Sequence, residues 1–344
     1  MRAAVAGMSE VGARVAALVR VEAAALEVLA RRLEGADGAA FERVLTMLAQ
    51  VLRRGGRVAV SGMGKSGLIG RKVAATMVSL GIRACFLHPA EALHGDLGVL
   101  GDGDVLLALS YSGETEELLR LLPVLRRMGV GVVSFCGCAE STLARASEAV
   151  LDVSVEREAC THQLAPTAST TAMLAMGDAL AVELSRRMGF APRDFAELHP
   201  GGQLGRRLAP VSEVMHAGES VPCVGPEAGL PAIMHEMSAK RLGMTTVQRD
   251  GRLLGLISDG DLRRLMERDG VEAFAKAAGE VMNPQPRTVS RELFMEAALE
   301  LLEAHKITAL IVTMDGTGAT KVEGVVHLHD VVQALAVPRQ GVST

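Results

Sequence analysis

In the first part of the chain, short apolar runs alternate with longer segments whose apolar positions recur at helical spacing. Residues 57–61, 84–88, 104–109, 131–136 and 149–153 are brief, rich in Val, Leu and Ala and bounded by turn residues, which predicts five strands. Helical segments lie at 66–80, before Met128-Gly129, and at 167–188, and Gly81 and Gly129 stand where helices stop. Upstream, residues 9–54 read as two helices broken at Gly35-Ala36-Asp37-Gly38. Strands alternating with helices predict an α/β fold, a mostly parallel sheet flanked by helices on both faces.

A different pattern starts near Val211 and occurs twice. Val214-Met215-His216 recurs as Val281-Met282-Asn283. The first copy predicts a helix at 230–239, strands at 245–249 and 254–257 around Asp250-Gly251, and a helix from Gly260. The second predicts a helix at 293–305, strands at 309–313 and 322–326 around Asp315-Gly316, and a helix from Leu328. An internal duplication of about 67 residues implies two β-α-β units packed as a pseudo-symmetric pair. The expected organisation is N-terminal helices over 1–54, an α/β domain over 55–208, and repeats over 211–270 and 278–338.

Composition narrows the function classes. A hydrophobic fraction of 49% with 22% charged residues supplies buried cores and a solvated surface. The net charge of −4, with no basic cluster, argues against a nucleic-acid partner. With no Trp, one Tyr and seven Phe, base-stacking platforms are not expected and the cores must be built from Leu, Val, Ala and Met. The five cysteines are Cys85, Cys136, Cys138, Cys160 and Cys223, and Cys136-Gly137-Cys138 is not a C-x-x-C pair. Reduced thiols, no disulfide framework, no required metal and a cytoplasmic location are the expectations. No apolar run is long enough to span a membrane, and Arg14, Glu22 and Glu27 interrupt the N-terminus where a signal peptide would be apolar. No membrane partner is therefore expected.

Gly62-Met63-Gly64-Lys65-Ser66-Gly67 follows a predicted strand and opens a predicted helix. It fits the dinucleotide fingerprint, but the next strand ends His88-Pro89-Ala90 rather than in a ribose-binding acid. It falls short of a P-loop because Ala59 occupies the first glycine position. It also fits a phosphate site built on helix N-terminal amides, or a tight turn with no ligand. Two further clusters bear on the choice. Ser110-Tyr111-Ser112-Gly113-Glu114-Thr115 stands at another strand-to-helix turn, and Pro166-Thr167-Ala168-Ser169-Thr170-Thr171 opens another helix. One hydroxyl cluster is most simply a helix cap. Three at strand ends or helix starts favour a phosphate-monoester pocket, in which Ser66, Ser110, Ser112 and Thr115 would contact the phosphate.

These strings, with His94-Gly95-Asp96-Leu97-Gly98, Glu158-Ala159-Cys160, Met176-Gly177-Asp178 and His199-Pro200-Gly201-Gly202, resemble the sugar isomerase (SIS) domain family and, within it, the arabinose-5-phosphate isomerases. The repeat is similar to a tandem CBS pair. The resemblance implies a homotetrameric, cofactor-free enzyme that interconverts ribulose 5-phosphate and arabinose 5-phosphate on the way to Kdo and lipopolysaccharide. It places Lys65, Glu117, Glu158 and His199 on positions linked to catalysis, with His94 close by in its motif. The chain departs from the family pattern at Tyr111, commonly Asn, and at Thr161, commonly Pro.

Aldose–ketose isomerisation moves a proton between adjacent carbons through an enediol, so it needs a base, a stabiliser of the developing oxyanion and a held phosphate. Glu158, on an irregular segment, is the preferred base, and Glu117, on a helix, is the alternative. Lys65 would neutralise phosphate or enediolate charge. His94 and His199 would open the ring or donate to the oxyanion. In the repeat, the CBS pattern Gly-x-x-[Ser/Thr]-x-x-Asp appears as Gly255 to Asp261 in the first copy, which makes Ser258 and Asp261 candidates for a nucleotide or nucleotide-sugar effector. The second copy has His327 in place of the hydroxyl but keeps Asp330. Two other classes stay open: a non-catalytic sugar-phosphate sensor, and a dinucleotide-dependent enzyme weakened by the missing ribose acid.

Overall fold

The computed structural model describes residues 2–199, 202–318 and 320–336, with side chains described from residue 10 onward except at Gln203. Pro200 and Gly201 of the His199 motif, and the last two residues expected for the second repeat, lie outside the described residues. The chain forms two compact units, Met1–Ala191 and Pro192–Thr344.

The first unit is built on five strands: β1 (Val58–Gly62), β2 (Ala84–Phe86), β3 (Val105–Leu109), β4 (Gly131–Cys136) and β5 (Ala149–Asp152). All pair in parallel, in the order β2-β1-β3-β4-β5. The two-residue side-chain period of the strands divides them between two cores. Val58 and Val60, Val105, Leu107 and Leu109, and Val133 and Phe135 face one core. Residues between them, Ala59, Leu106, Ala108 and Val132, face the other. The first core is closed by helices Gly38–Arg53, Gly64–Ser79 and Ala168–Met188, with Leu29 from helix Arg2–Glu34. The second is closed by Leu118, Leu121 and Leu125 of helix Glu116–Arg127 and Leu143 of helix Thr142–Ala146. Because both faces are covered, the strands read as continuous apolar runs rather than alternating ones.

The second unit carries β6 (His216–Ala217), β7 (Cys223–Val224), β8 (Met244–Arg249), β9 (Arg252–Ser258), β10 (Thr288–Ser290), β11 (Ala309–Thr313) and β12 (Val322–His327). They form a sheet β7-β8-β9 and a sheet β10-β11-β12-β6. The duplication is visible in fine detail. Each antiparallel hairpin has a register shift at its matching point, Val247/Gln248 in the first and Val312/Thr313 in the second. The segments preceding the copies are exchanged. His216 pairs with Val325 in the second copy, and Asn283 bridges to Leu256 in the first. That crossing explains two glycines. A Cβ on Gly255 would lie 2.6 Å from Met282 Sδ, and one on Gly324 would lie 2.8 Å from Met215 Sδ.

Candidate active site

The strand order reverses direction between β1 and β3, and open α/β sheets bind ligands at the carboxyl ends of the strands beside such a switch point. Both predicted turns stand there. Gly62 ends β1 and Met63 is the N-cap of helix Gly64–Ser79. The helix comes so close to the strand end that a Cβ on Gly67 would lie 2.5 Å from the Gly62 carbonyl oxygen, so only glycine fits. Lys65 and Ser66 thus occupy the first turn of a helix whose free amides favour an anion. Lys65 is exposed and Ser66 half-buried.

The turn after β3 is held from within. Ser110 is buried, its hydroxyl lies 2.8 Å from Thr115 Oγ1, and it accepts the Gly113 amide at 3.0 Å. Ser112 is exposed, and its hydroxyl accepts the Glu114 amide at 3.2 Å. Thr115 is the N-cap of helix Glu116–Arg127, with no side-chain cap bond. Among the four expected phosphate ligands the structure therefore joins Ser110 to Thr115 as turn-forming partners and presents Ser112 outward. Tyr111 packs on Gly137, where a Cβ would come within 2.6 Å of the ring. Its hydroxyl accepts the Val155 amide at 3.2 Å and donates to the Val155 carbonyl at 3.5 Å.

Glu158 follows β5 on an irregular segment, and its carboxylate turns back onto the start of helix Ala168–Met188. Oε2 accepts from the Thr167 amide at 2.7 Å, the Thr167 hydroxyl at 2.8 Å and the Ser169 amide at 3.3 Å. Burial pushes the carboxyl pKa up, but the donors of Ser169 and Thr167 outweigh it and hold the group below the usual carboxylate value. The loop is tied by Gln163. Its side chain accepts the Glu158 amide at 2.7 Å and donates to the Glu158 and Cys160 carbonyls at 2.9 and 3.1 Å. Backbone amides, that of Ala165 foremost and then those of His162, Leu164 and Gln163, hold the Cys160 thiol below its ordinary pKa.

The remaining candidates stand apart from this cluster in sequence and setting. Glu117 is half-buried in the first turn of its helix, where the N-terminal dipole favours a carboxylate. His94 is exposed just beyond helix Pro89–Ala92. His199 belongs to the second unit, where its Nδ1 lies 2.9 Å from the Phe195 carbonyl oxygen and its ring stacks on Phe195 at 3.9 Å. Three residues at this edge were not singled out from sequence. Gln163 and Thr167 act on Glu158 through contacts that no local pattern announces, and His88 carries a buried Nδ1 with no hydrogen-bond partner. The one signal for His88 was its place at the end of a predicted strand.

In the repeat, Ser258 and Asp261 satisfy each other in a capping box. Ser258 donates from its amide at 2.8 Å and its hydroxyl at 2.6 Å to Asp261 Oδ2, and Arg264 binds Oδ1 at 2.6 Å. In the second copy His327 cannot cap in this way, and Asp330 instead meets His216 Nε2 at 2.9 Å. Burial, with the neighbouring His216 and His329, pushes the His327 pKa down against the opposing pull of Asp330. Among the described residues, no group of three or more His, Cys, Asp or Glu side chains is placed to hold a metal ion, and no helix is long and apolar enough to cross a membrane.

The SIS domain family matches residues 51–183, and the CBS domain family matches residues 211–268 and 278–337. The arabinose 5-phosphate isomerase KdsD of Pseudomonas aeruginosa is 46% identical over 281 residues, covering 81% of this chain and 85% of that protein. The arabinose 5-phosphate isomerase KpsF of Escherichia coli O6:H1 is 40% identical over 311 residues, covering 90% of this chain and 91% of that protein. The solved structure of E. coli CFT073 c3406, in complex with arabinose 5-phosphate, is 36% identical with a TM-score of 0.51, covering 56% of this chain and 98% of that one. The glycine turn at the sheet's switch point, the clamped Glu158 and the duplicated second unit thus agree with full-length relatives, and the chain belongs to the arabinose 5-phosphate isomerase family, an SIS domain followed by two CBS domains.

Proposed function

We propose that the chain interconverts D-ribulose 5-phosphate and D-arabinose 5-phosphate, the first step towards Kdo and lipopolysaccharide. The observation that carries this reading is the 46% identity to an arabinose 5-phosphate isomerase over 85% of that protein's length. The site chemistry supports it. In the ketose-to-aldose direction a base removes a proton from C1, the electron pair becomes the C1–C2 double bond of an enediolate, and a proton returns to C2. Glu158 is our choice of base and Glu117 the alternative. Lys65, exposed at a helix start, offers the cation that offsets enediolate or phosphate charge. His94 and His199 are proposed for ring opening or oxyanion donation. Ser66, Ser112 and Thr115 would take the phosphate together with the amides of helix Gly64–Ser79, and Ser110 would hold the turn in shape.

The finer expectations are part of the same reading: a homotetramer working in the cytoplasm, with a nucleotide or nucleotide-sugar effector at Ser258 and Asp261. Incubation of the purified protein with ribulose 5-phosphate, followed by product identification, tests the central claim. Arabinose 5-phosphate is the expected product. A different pentose phosphate, or none, would overturn it.

A further inference from the structure

We infer that Thr167 and Gln163 are positioning residues for Glu158: Thr167 holds the carboxylate itself, and Gln163 holds the backbone that carries it. The inference rests on the reading of Glu158 as the base.

Thr167 is the N-cap of helix Ala168–Met188, a position whose hydroxyl ordinarily accepts an amide of its own first turn. Here it makes no such cap. Its Oγ1 accepts the Ala159 amide at 2.8 Å and donates to Glu158 Oε2 at 2.8 Å, so its one proton is committed to the carboxylate. Glu158 takes over the capping role from nine residues upstream, accepting the amides of Thr167 and Ser169. Every one of these bonds ends on Oε2, which leaves Oε1 as the oxygen available to a substrate proton. A carboxylate fixed at one oxygen presents the other in a defined direction, the near-attack geometry on which proton abstraction depends.

Gln163 acts differently. Its amide group bonds the Glu158 amide and carbonyl and touches neither carboxylate oxygen. It also holds a left-handed backbone conformation, φ +58°, at the tip of the loop. Removing it loosens the loop and leaves the donors on Oε2 in place.

The two residues therefore make distinguishable predictions. A base must be ionised, so activity falls as pH drops through its pKa, and losing a donor raises that pKa. Thr167→Val should move the acid limb of kcat/KM upward by roughly one pH unit. It should lower kcat several-fold at neutral pH with little change in KM, and Thr167→Ser should restore both. Gln163→Ala should lower kcat and leave the acid limb where it is in the native enzyme. A folded Thr167→Val enzyme with native limb and native kcat would overturn the inference, as would a limb displaced equally by both substitutions. Should Thr167→Val fail to fold, Thr167→Cys, a weak donor of similar size, must show the same upward limb. Glu158→Gln run in parallel separates the two levels. Full turnover there removes the base assignment and this inference with it, whereas an inactive Glu158→Gln beside a native Thr167→Val removes the inference alone.

Discussion

The Tyr111 hydroxyl engages the backbone of Val155 on both sides, accepting its amide at 3.2 Å and approaching its carbonyl oxygen at 3.5 Å. The pair links the turn after β3 to the segment that leads from β5 into the Glu158 loop. The tyrosine stands where relatives commonly carry Asn, and it is the only one in the chain. Its ring fills the space over Gly137, whose amide also donates to the Tyr111 carbonyl at 2.8 Å.

Tyr111→Phe keeps the ring and loses the hydroxyl, so it should cost about 1 kcal/mol of stability, the usual worth of one hydrogen bond. Gly137→Ala should cost more, roughly 1–3 kcal/mol, because the new methyl overlaps a ring held on its other edge. Urea denaturation measures both. A harmless Gly137→Ala together with a fully stable Tyr111→Phe would mean that the contact does not tie the two loops together.

Glu158→Gln preserves shape and removes the base, and kcat should fall at least about 10²-fold in a protein that remains folded by circular dichroism. Because Glu158 is held below the ordinary carboxylate value, the native acid limb should lie below about pH 4.3, the usual glutamate pKa. The same depression means that its contribution to folding is present above that pH and lost as pH falls through the folded-state pKa. Normal turnover by Glu158→Gln with loss in Glu117→Gln would transfer the role to Glu117.

Backbone amides hold the Cys160 thiol low, while burial pushes Cys85, Cys136 and Cys223 up. The thiolate is the nucleophile, so iodoacetamide at neutral pH should label Cys160 ahead of those three. Because Cys160 shares its loop with Glu158, labelling should reduce turnover, and the Cys160→Ala enzyme should resist the reagent. Peptide mass spectrometry reads the order of labelling, and equal rates at Cys160 and Cys136 would contradict the ranking.

Ser258 and Asp261 have a structural use in hand, since they cap helix Asp259–Asp269. Ser258→Ala should cost about 0.5–2 kcal/mol for the lost cap, whether or not a ligand binds. The effector proposal is tested by calorimetry with a panel of nucleotides and nucleotide-sugars on the native protein and on Asp261→Ala. Binding that is present in the first and absent in the second supports the site. Binding that survives Asp261→Ala, or none to the native protein, leaves the pair as a helix cap.

The sequence alone determined where the strands of the first unit lie, because each is a short apolar run bounded by turns and its alternate residues supply two cores. It also determined the duplication and the placing of Gly62–Gly67 and Ser110–Thr115 at strand ends, since both are local patterns. Tertiary structure decided which of these ends meet: the order β2-β1-β3-β4-β5 puts the β1 and β3 turns side by side at the switch point. It also set the exchange by which His216 joins the second copy and Asn283 the first. The settings of Glu158 and Tyr111 were equally hidden. A donor nine residues on along an irregular loop, or a backbone partner 44 residues away, leaves no periodic trace, because such contacts depend on where the packed elements deliver the chain.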